Sequence, residues 1–413
     1  MKELQIEVLD SIMGSGKTTG IIKWMKSNPQ NKYLYVSPLL SEVEERIPTE
    51  CEDLGFVSPN TLNHKTKSEH LKELLCTGEN VSFTHNLFTS LSKEHLSLIS
   101  KWNYVLIIDE EIDFIEQYRG NDYSMDDIET LEDSGHIEVD TENLGVVRWK
   151  WPDDVFKEGS TYGKLKRMCE LGMLHCAKHD RGMIVTHLPT ALLHAARRTI
   201  VMTYLFKGSV MQKFVEMKGI QVKDFTEISL IKTEAQVKYE ASNLIELFET
   251  PSTRKVTYRK GVRLTSSWYT SEATVADFKL VCNALRSACT KGKRDEVIYT
   301  VPKWTVISDK RSKKAPIRVN GYAADECFLY CGTKATNKYS HKKVLVHAFN
   351  RHPMQAVRAY LSDYGFPIDP DDFALSEMIQ WIWRSNIREG GNIKLCILSK
   401  RMKDLFNGWL DGE

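Results

Sequence analysis

Ile6-Glu7-Val8-Leu9-Asp10-Ser11-Ile12-Met13-Gly14-Ser15-Gly16-Lys17-Thr18-Thr19 is the stretch that decides the fold. Leu4, Ile6 and Val8 alternate with Gln5 and Glu7, the period of a strand. Thr18, Ile21, Ile22 and Met25 then recur at helical spacing. Strand, Gly-rich turn and helix in that order make Gly-Ser-Gly-Lys-Thr a phosphate cradle. Gly14 and Gly16 let the backbone curl so that its N–H groups point inward, and the following helix adds its positive end. Met13, Gly14, Ser15, Gly16, Lys17, Thr18 and Thr19 are therefore the expected ATP-binding residues. Lys17 would reach the β- and γ-phosphates and the Thr18 hydroxyl would ligate Mg²⁺. Ser11 stands where the usual pattern begins with glycine.

A chain of 413 residues exceeds what one core usually supports, so two domains are expected. The formal net charge is +1, so any surface for nucleic acid must be local and balanced elsewhere. Nine cysteines, an odd number without paired short spacings, read as reduced thiols of a cytoplasmic protein. The N-terminus runs straight into the first strand, which leaves no room for a signal peptide, and no apolar run approaches membrane-spanning length. No membrane partner is expected.

Further along, Lys32 to Leu40 reads as a buried strand opening at Ser37-Pro38 into a loop. The basic run His64-Lys65-Thr66-Lys67 reads as a solvated face. The second strong signal is Tyr104-Val105-Leu106-Ile107-Ile108-Asp109-Glu110-Glu111-Ile112-Asp113. Four consecutive aliphatics form a strand buried on both faces, with acids at its carboxyl end, the edge where open α/β sheets bind ligands. Asp109 suits a Mg²⁺ ligand acting through water, and Glu110 suits the base that orients an attacking water. Glu111 and Asp113 read as exposed spare acids.

From about 118 to 190 the chain turns acidic, then aromatic and basic, as an inserted subdomain would. Cys169, His175, Cys176 and His179 lie within it, but Met168, Leu171 and Leu174 make a helix core the better account than zinc. Thr199 to Tyr204 is another buried strand, followed by a helix from Val210 to Lys218 and a strand at Gln221 to Ser229. The polar run from 232 to 260 is the expected domain boundary, dividing the chain into 1–235 and 236–413.

In the second half, Val297 to Val301 and Lys343 to Ala348 read as strands, and Cys327 to Cys331 as a strand running into a polar loop. Lys310-Arg311-Ser312-Lys313-Lys314 is a basic loop that could contact phosphates or merely solubilise. On a helix, Gln380, Arg384 and Arg388 fall on one face at i, i+4 and i+8. Trp381, Ile382 and Trp383 would pack around them.

Together these signals resemble the superfamily-two helicases of the DEAD/DEAH type, and most of all the phage-encoded helicase-like ATPases. The segments that carry the resemblance are DSIMGSGKTT, YLYVSPLL, FTHNLF, LIIDEEID, IVMTYLFKGS, CGTKATNKY and QWIWRSNIR. It implies two RecA-like α/β domains with parallel sheets, ATP and Mg²⁺ in the cleft between them, and a nucleic-acid strand across both. Motifs I to III would occupy 1–235 and motifs IV to VI 236–413. Residue by residue, Lys17, Asp109, Glu110, Gln380, Arg384 and Arg388 become the catalytic set, with Thr18 and Asp109 holding the metal. Arg388 would face the γ-phosphate while Arg384 holds it or the motif geometry. Ser37, Pro38, Thr84, His85, Lys334, Thr336 and Asn337 become nucleic-acid contacts. Three departures stand out: Thr203 is followed by Tyr204-Leu205, the last arginine sits one residue late, and no adenine-reading glutamine motif fits before the phosphate loop.

The function expected is an ATP-dependent DNA helicase or translocase of phage replication or recombination, acting on single-stranded or forked DNA in the host cytoplasm. Replication or recombination proteins would be its partners. A duplex remodeller without strand separation, or an ATP-switched clamp on DNA or RNA, are the alternatives. Glu110 weighs against the clamp, since a switch needs no water-orienting acid.

Overall fold

The computed structural model describes residues 5–118, 125–152, 162–306, 316–333 and 336–412. The chain divides into two compact units. The first comprises Met1–Asp10, Thr18–Ser229 and Pro353–Asp369; the second comprises Ser11–Lys17, Leu230–His352 and Pro370–Glu413. The main break thus falls between Ser229 and Leu230, and the helix at Gln355–Asp363 belongs with the first unit.

The strands of the first unit run β1 (Gln5–Asp10), β2 (Tyr33–Ser37), β3 (Phe56–Val57), β4 (Asn80–Thr84), β5 (Val105–Asp109), β6 (Ile115–Gln117), β7 (Ile137–Asp140), β8 (Val146–Trp149), β9 (Leu174–Cys176), β10 (Ile184–His187), β11 (Arg198–Thr203) and β12 (Gln221–Asp224). Seven of them build a parallel sheet in the order β12-β1-β11-β5-β2-β4-β3. Its middle strands are unbroken aliphatic and aromatic runs, Tyr33 to Val36 and Val105 to Ile108, as burial on both faces demands. The helix Lys17–Ser27 turns Ile21, Ile22 and Met25 into that core.

The segment expected to be an insertion carries most of a second sheet, antiparallel, in the order β6-β10-β9-β8-β7. Cys169 and Cys176 are core residues of this layer, packed with Ile128, Val147, Leu165 and Leu174. His175 is buried as well and stacks on His187 with ring centroids 3.7 Å apart.

The second unit holds a four-stranded parallel sheet, β13 (Ile245–Leu247), β14 (Val297–Thr300), β15 (Val344–His347) and β16 (Ile393–Ile397), ordered β13-β16-β15-β14. Its first strand lies inside the polar run expected to be the domain boundary. The helix Val275–Cys289 buries Phe278, Val281, Leu285 and Cys289 against it.

Two expectations need correcting. Cys327 to Cys331 is not a strand: Cys327 and Phe328 close a helical turn on the carbonyls of Ala323 and Ala324, and pairing is limited to an isolated bridge of Phe328 with Tyr299, whose carbonyl accepts the Leu329 N–H. The helix Pro370–Ile382 stops before the arginines. The Ser385 N–H and hydroxyl both bond the Ile382 carbonyl, Asn386 N–H goes to Lys342, and the chain re-forms as a short 3₁₀ turn at Asn386–Glu389. The α/β class with parallel sheets holds.

Candidate functional site

At the carboxyl edge of the first sheet, three strands end level with one another. Asp10 pairs with Thr203, and Met202 pairs with Asp109, so β1, β11 and β5 deliver two acids and a hydroxyl to one edge. The phosphate loop leaves β1 from there.

Within the loop, Gly14 and Gly16 take φ of 81° and 92°, values open to glycine at no steric cost. The Ser11 hydroxyl donates to Ser15 Oγ at 2.9 Å, and Ser15 N–H to the Ile12 carbonyl at 3.3 Å. Ser11, in place of the usual glycine, is thus a brace of the turn. Lys17 Nζ folds back on its own loop, donating to the carbonyls of Ser11 and, at 3.1 Å, Ile12. The Ser15 carbonyl accepts the N–H groups of Ile231 and Lys232, which lays Ile231 directly over Gly16. Trp383 meets the loop too: its indole Nε1 lies 3.8 Å from where a Cβ on Gly14 would stand. Trp383, expected only to pack around Gln380, Arg384 and Arg388, is thus the residue of that segment that lies beside Gly14.

Asp109 is held from several sides. Tyr35 donates its hydroxyl to Oδ2 at 3.0 Å and Ser37 does so at 3.4 Å. Burial, and then the Asp109 charge itself, push the Tyr35 hydroxyl far above its ordinary pKa, so it stays a donor. His85 Nε2–H donates to the Asp109 carbonyl at 2.9 Å. Ser37 and His85, expected on the nucleic-acid side, are buried with their side chains turned to Asp109.

Glu110 sits in the left-handed region at φ 64°, with its N–H bonded to the Met202 carbonyl. A side chain rarely adopts that backbone, which costs on the order of 1–3 kcal/mol and persists where neighbours impose it. Leu205 repeats the pattern at φ 59°, and Asp10 imposes it by accepting the N–H groups of Leu205 and Phe206 at 2.8 and 2.9 Å. Glu111, read as an exposed spare acid, is half-buried and accepts the Thr203 hydroxyl at 2.9 Å.

In the second unit, Gln380 ends half-buried on its helix, Arg384 is buried in the turn after it, and exposed Arg388 donates to Asn337 Oδ1 at 2.6 Å. Two expected sets, Gln380-Arg384-Arg388 and Thr336-Asn337, thus touch through that bond. Pro38 and Thr84 are half-buried at the ends of β2 and β4. Lys334, Ala335 and the basic loop Lys310, Arg311, Lys313 and Lys314 lie outside the described residues.

Sequence reasoning missed Asp10, Tyr35, Glu111 and Trp383. An acid closing the strand before a phosphate loop was a visible signal for Asp10. The role of Tyr35 depends on β2 lying beside β5, which no local pattern announces.

Residues 239–410 match the family described as the YonV C-terminal Rossmann-like domain. Along nearly its whole length the chain is similar to the SPbeta prophage-derived uncharacterized protein YonV of Bacillus subtilis (strain 168), 28% identical over 432 residues and 99% of each chain. Among solved structures it is similar to S. tokodaii Xpd4, with 12% identity, a TM-score of 0.49 and 98% and 94% of the two chains covered. It is also similar to S. cerevisiae Dbp5 bound to RNA and ADP BeF3, with 12% identity, a TM-score of 0.31 and 99% and 83% covered. Among the described residues no helix is long and apolar enough to cross a membrane.

Proposed function

We propose that this protein is an ATP-hydrolysing motor that moves on nucleic acid, with DNA as its strand and phage replication or recombination as its setting. One observation carries the reading: the strands that lead into Gly-Ser-Gly-Lys-Thr and out to Asp109-Glu110 end level at one sheet edge, either side of β11.

The residues fit the groups they would hold. Backbone N–H groups of 13–19 and the Lys17 ammonium suit triphosphate oxygens. The Thr18 hydroxyl and Asp109 carboxylate are hard oxygen donors of the kind Mg²⁺ takes, and the metal would neutralise charge on the phosphates. Tyr35 and Ser37 fix the Asp109 carboxylate in place. Glu110, set by its left-handed backbone, orients water for attack. Thr203, bonded to Glu111, links that acidic turn to the 203–206 turn gripped by Asp10. Movement of one turn would be felt by the other, a route from hydrolysis to strand movement.

We further assign phosphate contact to Gln380, Arg384 and Arg388, and RecA-like domains to 1–235 and 236–413. Similarity to a prophage-derived protein supports the phage setting.

Steady-state ATP hydrolysis with no nucleic acid, single-stranded DNA, duplex DNA, forked DNA and RNA tests the reading. Stimulation by DNA supports it. Absence of hydrolysis in every arm contradicts it.

A further inference from the structure

The second unit carries a second feature suited to nucleic acid, well separated in sequence from every motif above. The helix Pro251–Thr257 is capped by Thr250 and ends at Tyr258. Val256 and Thr257 turn into the core, and Arg254, Lys255, Tyr258, Arg259 and Lys260 turn outward. Tyr258 is 60% exposed, an aromatic ring that packing does not explain.

That ring is nonetheless anchored. The Tyr258 hydroxyl donates to Glu249 Oε1 at 3.4 Å. Glu249 is fixed in turn by Arg254 at 2.9 Å and by Lys403, from the C-terminal helix Lys400–Asp411, at 2.8 Å. The Lys403 hydrogen bond, and Arg254 after it, hold the Glu249 carboxyl below its ordinary range, so it keeps its charge and its grip. A free tyrosine would sweep through many positions; this one is tethered at its far end.

Two clefts of about 240 and 330 Å³ share Arg254 as a wall, and Tyr258 lines the larger. Their lining carries four cations, Arg254, Lys255, Arg259 and Lys403, against the single carboxylate Glu249. Adding Asp277, which sits 3.6 Å from Arg259, still leaves four against two. In a chain of net charge +1 this is a local concentration, the kind its composition requires of any phosphate-binding face.

We infer that Tyr258 with Arg254, Lys255 and Arg259 forms a docking platform for single-stranded nucleic acid, one base stacking on the ring while the cations take the flanking phosphates. The inference rests on the nucleic-acid reading above and adds a contact point to it. A duplex fits poorly, because its base faces are already stacked and cannot cover an isolated ring. The platform reads backbone and base face, chemistry that DNA and RNA share.

The test is fluorescence anisotropy with labelled oligothymidylate and oligouridylate of about 15 nucleotides, without ATP, over a range of salt. Tyr258→Ala should weaken binding about tenfold and Tyr258→Trp should restore it, since stacking tolerates any flat ring. Lys255→Gln with Arg259→Gln should lower the salt slope by about 1.4, two phosphate contacts on a single strand. These exposed substitutions act independently, so misfolding of one leaves the other readable. Dependence on Tyr258 with either oligonucleotide supports the platform, and the tighter of the two identifies the strand. Wild-type binding that ignores all these substitutions overturns the platform alone. A wild-type protein that binds neither oligonucleotide overturns both the platform and the nucleic-acid half of the proposed function.

Discussion

The hydroxyl of Thr203 donates to Glu111 Oε1 across 2.9 Å, joining the end of one buried strand to the acidic turn that follows another. Thr203→Val keeps the shape and removes the donor. ATP binding should stay within about twofold, while turnover stimulated by nucleic acid falls about tenfold, the size expected for one hydrogen bond to a charged group. Equal losses in binding and turnover would return Thr203 to a purely structural role.

Tyr35 bonds Asp109 from the neighbouring strand. Tyr35→Phe should raise the Mg²⁺ concentration needed for half-maximal hydrolysis by about five- to tenfold, because the carboxylate loses one of the donors that orient it. A magnesium titration that superimposes on wild type would remove Tyr35 from the site.

These two bonds show where the sequence was legible and where it stopped. Phosphate loop and acidic strand end are contiguous patterns, so each could be read from its own residues. Tyr35 and Ser37 reach Asp109 only because β2 lies beside β5, and strand order is a property of the whole sheet. Asp10 was within reach of reading, yet its partners at 205 and 206 come from the turn after a strand nearly two hundred residues on. Around Arg384 the helical period continued in the letters while Ser385 and Asn386 diverted the backbone bonds, so the expected single arginine helix became a helix, a turn and a 3₁₀ turn. The 118–190 insertion was visible as a change of composition, but its antiparallel sheet was not.

Gly16 should tolerate no side chain. At φ 92° any Cβ is strained, and it would also stand 2.8 Å from Ile231 Cδ1. Gly16→Ala should abolish ATP binding by equilibrium dialysis. Trimming the neighbour in Gly16→Ala/Ile231→Ala should not restore it, since the backbone conflict remains. Recovery in the double variant would show that crowding alone was at fault.

Acid should loosen the inserted sheet. Burial lowers the pKa of His175 to about 4, and His187, stacked on it beside Phe214 and Tyr360, lies well below its ordinary value, with Lys218 adding repulsion. Both are neutral when folded but take up protons when unfolded below about pH 6.5, so stability is full above that value and falls as pH drops toward 4. Each histidine contributes a slope of about 1.4 kcal/mol per pH unit there. Urea melts at pH 7.5 and 5.5 should differ accordingly, and His187→Phe should reduce the difference by about one histidine's share. An unchanged difference would place the acid sensitivity elsewhere.

The most direct test of the account compares ATP binding with ATP turnover in Lys17→Ala and Glu110→Gln. Lys17→Ala removes the charge on the β- and γ-phosphates, so both binding and hydrolysis should be lost. Glu110→Gln leaves the cradle and metal ligands intact, so ATP should bind at wild-type affinity while turnover falls at least a hundredfold, on the order expected for a lost catalytic base. Wild-type turnover in Glu110→Gln would contradict the account.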